Sequence, residues 1–144
     1  MADTNPLRAG LRLARTPDPC TVVIFGATGD LTARKLLPAL LSLYRERQLP
    51  SGFALVGFGR RPWDDDAFRE ELRPSAEEHV RAAGMSPETW AGFAEHMAFV
   101  GGEFGDRAAY EALAARLDGL DRERGTAGNR LFYLATPPGA FDTI

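Results

Sequence analysis

The chain contains one cysteine, Cys20, and only two histidines, His79 and His96. A lone thiol permits no intramolecular disulfide. Also missing are a secretory leader and any apolar run approaching the about 20 residues that a bilayer requires. A reducing, cytoplasmic setting with no membrane partner is expected. Charge of one sign is scarce as well: 17 Lys and Arg against 20 Asp and Glu give a formal net charge of -3, which offers no basic excess for nucleic acid. No internal repeat or low-complexity segment stands out, and no set of side chains calls for a metal.

What remains is an ordinary globular composition, 44% hydrophobic and 26% charged, in a chain long enough to bury about two thirds of its unfolded surface in one core. Residues 1–19 mix Thr, Pro, Asp and Arg without sustained periodicity, and Leu7, Leu11 and Leu13 make no helix face; this part reads as a mobile leader. Residues 20–144 read as one domain. Strands are expected at 21–25, 53–59, 96–100 and 130–135, the last stopped by Pro137 and Pro138. Between them the pattern turns helical. Residues 30–47 place Ala33, Leu36, Leu37, Leu40, Leu41 and Tyr44 on one face, and Asp30 is positioned to cap that helix. Asp64, Asp65 and Asp66 suit a second helix start, Pro74 and Gly84 are expected to interrupt the long crossover, and Ser86-Pro87 signals a fresh start. Asp106 opens a helix to about residue 117 with Ala108, Leu113 and Leu117 inward. Strands alternating with helices predict an α/β fold, a Rossmann-like parallel sheet with helices on both faces and an incomplete second half.

The most specific segment is TVVIFGATGDLTARKLLP, residues 21–38. Thr21, Val22, Val23, Ile24 and Phe25 form an apolar run without alternation, as a parallel strand covered on both faces requires. Gly26 permits a tight turn. Gly29 leaves room for a phosphate at the helix start, where backbone donors lack partners and the helix dipole favours negative charge. Gly26, Ala27, Thr28, Gly29, Asp30 and Leu31 are therefore the candidate phosphate-binding loop, although the full G-x-G-x-x-G fingerprint is only partly present.

The order Gly26, Gly29, Asp30, Leu31, Arg34, Lys35, Pro38 resembles the N-terminal coenzyme motif of the glucose-6-phosphate dehydrogenase family, G-x-x-G-D-L-A-x-(K/R)-K-x-x-P. Thr32 stands where the family usually has Ala, and Ala33 where it often has a basic residue. ALVGFGRR at residues 54–61 and NRLFYLATPP at residues 129–138 resemble the family's second and fourth strands. The resemblance implies an NADP-dependent oxidoreductase of glucose metabolism and the pentose phosphate pathway, converting glucose 6-phosphate to 6-phosphogluconolactone. It also implies that Lys35 contacts the sugar-phosphate substrate and that Tyr133 lies by the coenzyme.

Coenzyme type is read at the end of the second strand. An NAD site places Asp or Glu there for the ribose 2′-hydroxyl, whereas this chain has Arg60 and Arg61. A guanidinium binds a 2′-phosphate with paired, charge-assisted hydrogen bonds; NADP is the expected cofactor, Arg60 its clamp and Thr28 a further donor. Removing a hydride from a sugar needs a base, usually His with a carboxylate partner. His79 in the charged crossover and His96 at a strand start are expected to be structural or exposed. The family's catalytic pair belongs to an R-I-D-H-Y-L-G-K-type motif, and neither it nor the E-K-P-(F/W)-G motif occurs here. The chain, stopping as a helix begins after Gly139, is expected to be a truncated domain that binds coenzyme without catalysis, with any homo-oligomer formed through the missing C-terminal domain.

Two other readings remain. G-A-T-G also opens the loop of atypical short-chain reductases and NADP-sensing modules, which bind without chemistry but carry a third Gly where this chain has Thr32. The other is an assembly domain whose fourth-strand edge recruits a partner.

Overall fold

A computed structural model describes residues 16–79 and 85–144. Its centre is a four-stranded sheet in the order β3-β2-β1-β4, formed by β1 (Thr21–Phe25), β2 (Ala54–Gly59), β3 (Met97–Gly101) and β4 (Arg130–Leu134), with every adjacent pair parallel. This is the first part of the doubly wound order, in which the direction of strand succession reverses between the first strand and the fourth. The expected fold class and strand positions hold, with the ends shifted by a residue.

β2 is buried at every position and β1 at all but Val22, which accounts for their lack of alternation. Register divides the side chains into two layers. Ile24, Leu55, Met97 and Phe99 meet Leu37, Leu41, Phe68, Leu72, Trp90 and Phe93 from helices α1 (Leu37–Arg45), α2 (Asp65–His79) and α3 (Pro87–Ala94). Val23, Phe25, Val56, Phe58 and Ala98 meet Ala109, Leu113, Leu117 and Leu120 of α4 (Arg107–Arg124) on the other face.

Local chemistry explains the helix starts. Asp64 Oδ1 accepts from Ala67 N at 2.7 Å, Ser86 Oγ from Thr89 N at 3.1 Å, and Asp106 Oδ1 from Ala108 N at 3.0 Å, each satisfying a first-turn donor. Four expectations are corrected. Asp30 caps nothing: it is already helical, and its carboxylate pairs with Arg34 Nε at 2.8 Å. Pro74 does not interrupt the crossover but lies exposed inside α2, where water can serve the carbonyl its missing N–H leaves over. The last helix continues to Arg124, and its buried face is Ala109, Leu113, Leu117 and Leu120, with Ala108 outside. The glycine-loop helix does not run as one α-helix to residue 47: Thr32–Leu36 form a π turn ahead of α1, with Leu37 N–H donating to Thr32 O. Pro38 follows directly and has neither an N–H for a regular turn nor room against the carbonyl four residues back.

The leader expected over residues 1–19 lies outside the described residues up to residue 15, as does Gly84. Pro19 is tied down, its carbonyl accepting from Asn129 Nδ2 at 3.1 Å. At the other end a 3₁₀ turn, Pro138–Ala140, is followed by Ile144 N–H donating to Ala140 O at 3.2 Å. Among the described residues no helix is long and apolar enough to cross a membrane.

The two sheet edges differ. Asp65 Oδ1 accepts the outward N–H of Phe99 at 2.8 Å, and Arg69 Nη2 donates to Met97 O at 2.8 Å, so side chains occupy the free edge of β3. On β4, Leu131, Phe132 and Tyr133 are 60%, 51% and 41% exposed, leaving an uncovered apolar edge.

Candidate functional site

In a parallel sheet of this type, ligands bind beyond the carboxyl ends of the strands where strand order reverses. Here that place lies between β1 and β4. A cleft of about 180 Å³ opens there, lined by Gly26, Thr28, Gly29, Gly59, Arg60, Phe104, Ala135, Thr136 and Pro137.

The turn that forms its floor is held by the strands themselves. Gly26 N–H and Ala27 N–H both donate to Phe58 O, at 2.9 and 3.2 Å, and Ala135 N–H donates to Phe25 O at 2.9 Å. Gly26 has φ +81°, and a Cβ there would meet Ala135 O at 2.4 Å. Gly29 N–H closes the turn on Gly26 O at 3.0 Å and Ala33 N–H returns to Gly29 O at 3.3 Å. The N–H groups of Thr28, Asp30 and Leu31 take no acceptor among the described residues. This is a run of free donors at a helix start, fit for an anionic group.

Arg60 reaches the cleft directly from the end of β2, and a second, more polar cleft of about 390 Å³ continues outward between Thr28, Arg60, Arg61 and Glu103. A Cβ on Gly59 would stand 2.9 Å from Thr28 Cγ2, so the glycine that ends β2 is what lets the Thr28 side chain sit beside Arg60. Neither arginine makes an ion pair among the described residues. The structure thus brings Gly26, Thr28, Gly29 and Arg60 together as the sequence led us to expect. Ala27 is buried beneath the turn, where it packs in the core.

Other expected residues stand apart. Tyr133 pairs in register with Ile24, two residues before the strand's final turn, and lines neither cleft. Lys35 is exposed on the π turn, and Asp30 and Leu31 are exposed at its start. Residues the sequence did not single out complete the wall. Thr136 is the clearest: its hydroxyl is buried without a partner among the described residues, beside the glycine turn. Glu103 and Phe104 come from the loop after β3. Their only sequence signal is position, since loops after parallel strands line such crevices.

His96 does not reach the site, and the side chain of His79 lies outside the described residues. His96 precedes β3, at the opposite edge of the sheet, with Nδ1 2.7 Å from Phe53 O and 2.9 Å from Arg124 Nη1. The Phe53 carbonyl can only accept and the Arg124 guanidinium can only donate, so Nδ1 serves one or the other according to its tautomer. Burial holds the imidazole below its ordinary pKa, opposed by the Phe53 hydrogen bond and helped by the charge of Arg124. Cys20 is half-buried, and its thiol is pushed up by desolvation, away from the reactive thiolate.

Comparison with known proteins places this geometry. The sequence pattern of the family described as "Glucose-6-phosphate dehydrogenase, NAD binding domain" matches residues 23–144. The chain is 44% identical over 142 residues to glucose-6-phosphate 1-dehydrogenase 2 of Mycobacterium bovis, covering 97% of this chain and 27% of that protein. It is 43% identical over 126 residues to glucose-6-phosphate 1-dehydrogenase of Chlamydia muridarum, covering 88% and 25%. It therefore spans about a quarter of the length of these curated relatives. Among solved structures, a glucose-6-phosphate dehydrogenase in complex with its substrate glucose-6-phosphate superposes with a TM-score of 0.73 and 26% identity, over 90% of this chain and 26% of that one. A glucose-6-phosphate 1-dehydrogenase from Mycobacterium avium matches the fold with a TM-score of 0.74 at 24% identity, over 89% and 26%.

Proposed function

The chain belongs to the glucose-6-phosphate dehydrogenase NAD-binding domain family, and on that premise we propose that its carboxyl-edge cleft holds NADP, with the glycine turn on the pyrophosphate and Arg60 on the 2′-phosphate. One observation carries this reading. A glycine turn with no side chain in the way, the unpaired N–H of Thr28 and a guanidinium not spent on an internal carboxylate line two adjoining clefts that share Thr28 and Arg60. An acid at Arg60 would repel the phosphate that this arrangement suits.

In the whole protein, NADP held in this cleft would supply the hydride acceptor for oxidation of glucose 6-phosphate to 6-phosphogluconolactone. Residues 20–144 contribute binding and orientation: Gly26, Ala27, Thr28, Gly29, Asp30 and Leu31 shape the cradle, and Tyr133 and Lys35 act at its margins, Lys35 toward the sugar phosphate. Both margin roles rest on the family resemblance. The proton acceptor is placed outside this set: His96, the histidine whose side chain is described, lies at the far edge of the sheet and lines neither cleft. The domain by itself binds coenzyme without turnover, as part of a cytoplasmic enzyme.

The rival binding module, of the atypical short-chain reductase type, is disfavoured at Thr32. That side chain is fully buried and its hydroxyl donates to Gly26 O at 3.4 Å, filling the space a third glycine would leave.

Thermal melting tests the binding claim. A ligand at about 100 times its Kd adds about 2.7 kcal/mol, so saturating NADP raises Tm by roughly 5–10 °C in a domain of this size, and a Gly29→Val variant loses that rise. Joining the domain to the rest of a relative and assaying NADPH formation tests the reaction; a folded but inactive chimera contradicts the dehydrogenase reading.

A further inference from the structure

Glu103 follows β3 and lines the outer cleft together with Thr28, Arg60 and Arg61. The loop that carries it is fixed on both sides. Gly102 N–H donates to Gly59 O at 2.9 Å and Asp106 N–H to Glu103 O at 3.0 Å. Phe104 stacks on Phe58 with ring centroids 6.1 Å apart, and its carbonyl accepts from Tyr110 Oη at 2.7 Å. The Glu103 side chain is nonetheless exposed, and among the described residues it pairs with neither arginine nor any other cation. An exposed acid that lines one cleft with two arginines, and pairs with neither, is available to a ligand.

The chemistry of the adenosine ribose gives that carboxylate a role. In NAD the ribose 2′ position is a hydroxyl, which donates to a carboxylate; in NADP it is a phosphate, which a carboxylate repels. This fold usually draws the discriminating acid from the end of the second strand. Here that position holds Arg60 and Arg61, and an acid enters the same cleft from the end of the third strand instead. We propose that Glu103 is a specificity-determining residue: it accepts a ribose hydroxyl of NAD and opposes the 2′-phosphate of NADP, so that the domain takes both coenzymes and its preference for NADP is smaller than its arginines alone would give. The inference rests on the reading that this cleft holds a dinucleotide.

The test is calorimetric titration of the chain with NAD and with NADP, in wild type, Glu103→Gln and Glu103→Lys, with Arg60→Ala and Glu111→Gln as controls. Glu111 is an exposed acid on α4, paired with Arg107 at 3.5 Å and outside the cleft. Glu103→Gln weakens NAD and tightens NADP, raising the ratio of their dissociation constants by about tenfold, the scale of one charged hydrogen bond. Glu103→Lys raises it further, and Glu111→Gln leaves it alone. An unchanged ratio, parallel weakening of both ligands, or an equal response at Glu111 overturns the proposal. If wild type binds neither dinucleotide, the coenzyme reading itself fails. If wild type binds and Arg60→Ala abolishes the preference while Glu103→Gln does nothing, only the role of Glu103 falls.

Discussion

Gly26 and Ala135 meet backbone to backbone: a Cβ on Gly26 would lie 2.4 Å from the Ala135 carbonyl oxygen, and Gly26 holds φ +81°. The contact joins the turn after β1 to the end of β4, so the position demands glycine for conformation and for space at once. Gly26→Ala is expected to cost about 2–4 kcal/mol and to abolish coenzyme binding. Urea unfolding measures the first and calorimetry the second; a variant as stable as wild type would show that the turn yields.

The edge of β3 offers a separate test. Asp65 bonds Phe99 N and also pairs with Arg116 Nη2 at 2.7 Å, with the Arg116 side chain 45% exposed. Asp65→Ala strands a strand-edge donor and is expected to lose about 1–3 kcal/mol, whereas Asp65→Asn keeps the acceptor, gives up only the half-exposed ion pair and loses less than about 1 kcal/mol. Equal losses would assign the stabilisation to the ion pair instead.

His96 sets a pH dependence. Its folded pKa is lowered chiefly by burial, so the unfolded chain binds the proton more readily. Stability from this group is complete above the ordinary histidine value of about 6.5 and declines as pH falls below it, by at most about 1.4 kcal/mol per pH unit. His96→Gln, which can donate to Phe53 O, is expected to flatten that part of the stability profile. An unaltered slope would locate the proton uptake elsewhere.

On the opposite edge, Leu131 and Phe132 are exposed on the two faces of β4. Concentration-dependent self-association of the isolated chain is expected there. Leu131→Lys with Phe132→Glu should suppress it in sedimentation while changing stability by no more than about 0.5 kcal/mol per site. Association that survives both substitutions would point to another surface.

How much of this could be read beforehand depended on how local the cause was. Asp106, Ser86 and the aspartates at 64–66 announced their helices because a cap acts within three residues. The glycine turn and Arg60 were legible because phosphate chemistry constrains residue type at fixed spacing from a strand. Ala109 replaced Ala108 on the buried face because one residue of helical phase is decided by the sheet it packs on. Pro74 was misread because only the solvent exposure of its helix face makes its missing donor tolerable. The π turn before Pro38 and the roles of Thr32, Thr136 and Glu103 depend on neighbours distant in sequence or on backbone geometry, and no spacing rule displays them. Tyr133 is named beside the coenzyme by the family resemblance alone; in the sheet it pairs opposite Ile24 and lines neither cleft.

The most direct test of the central claim is calorimetric titration of the chain with NADP and NAD, in wild type and Arg60→Ala. The account predicts tighter binding of NADP and loss of that preference in the variant, a change of about ten- to a hundredfold for one charged hydrogen-bonded contact. Equal affinities in wild type, or a preference that survives Arg60→Ala, would contradict it.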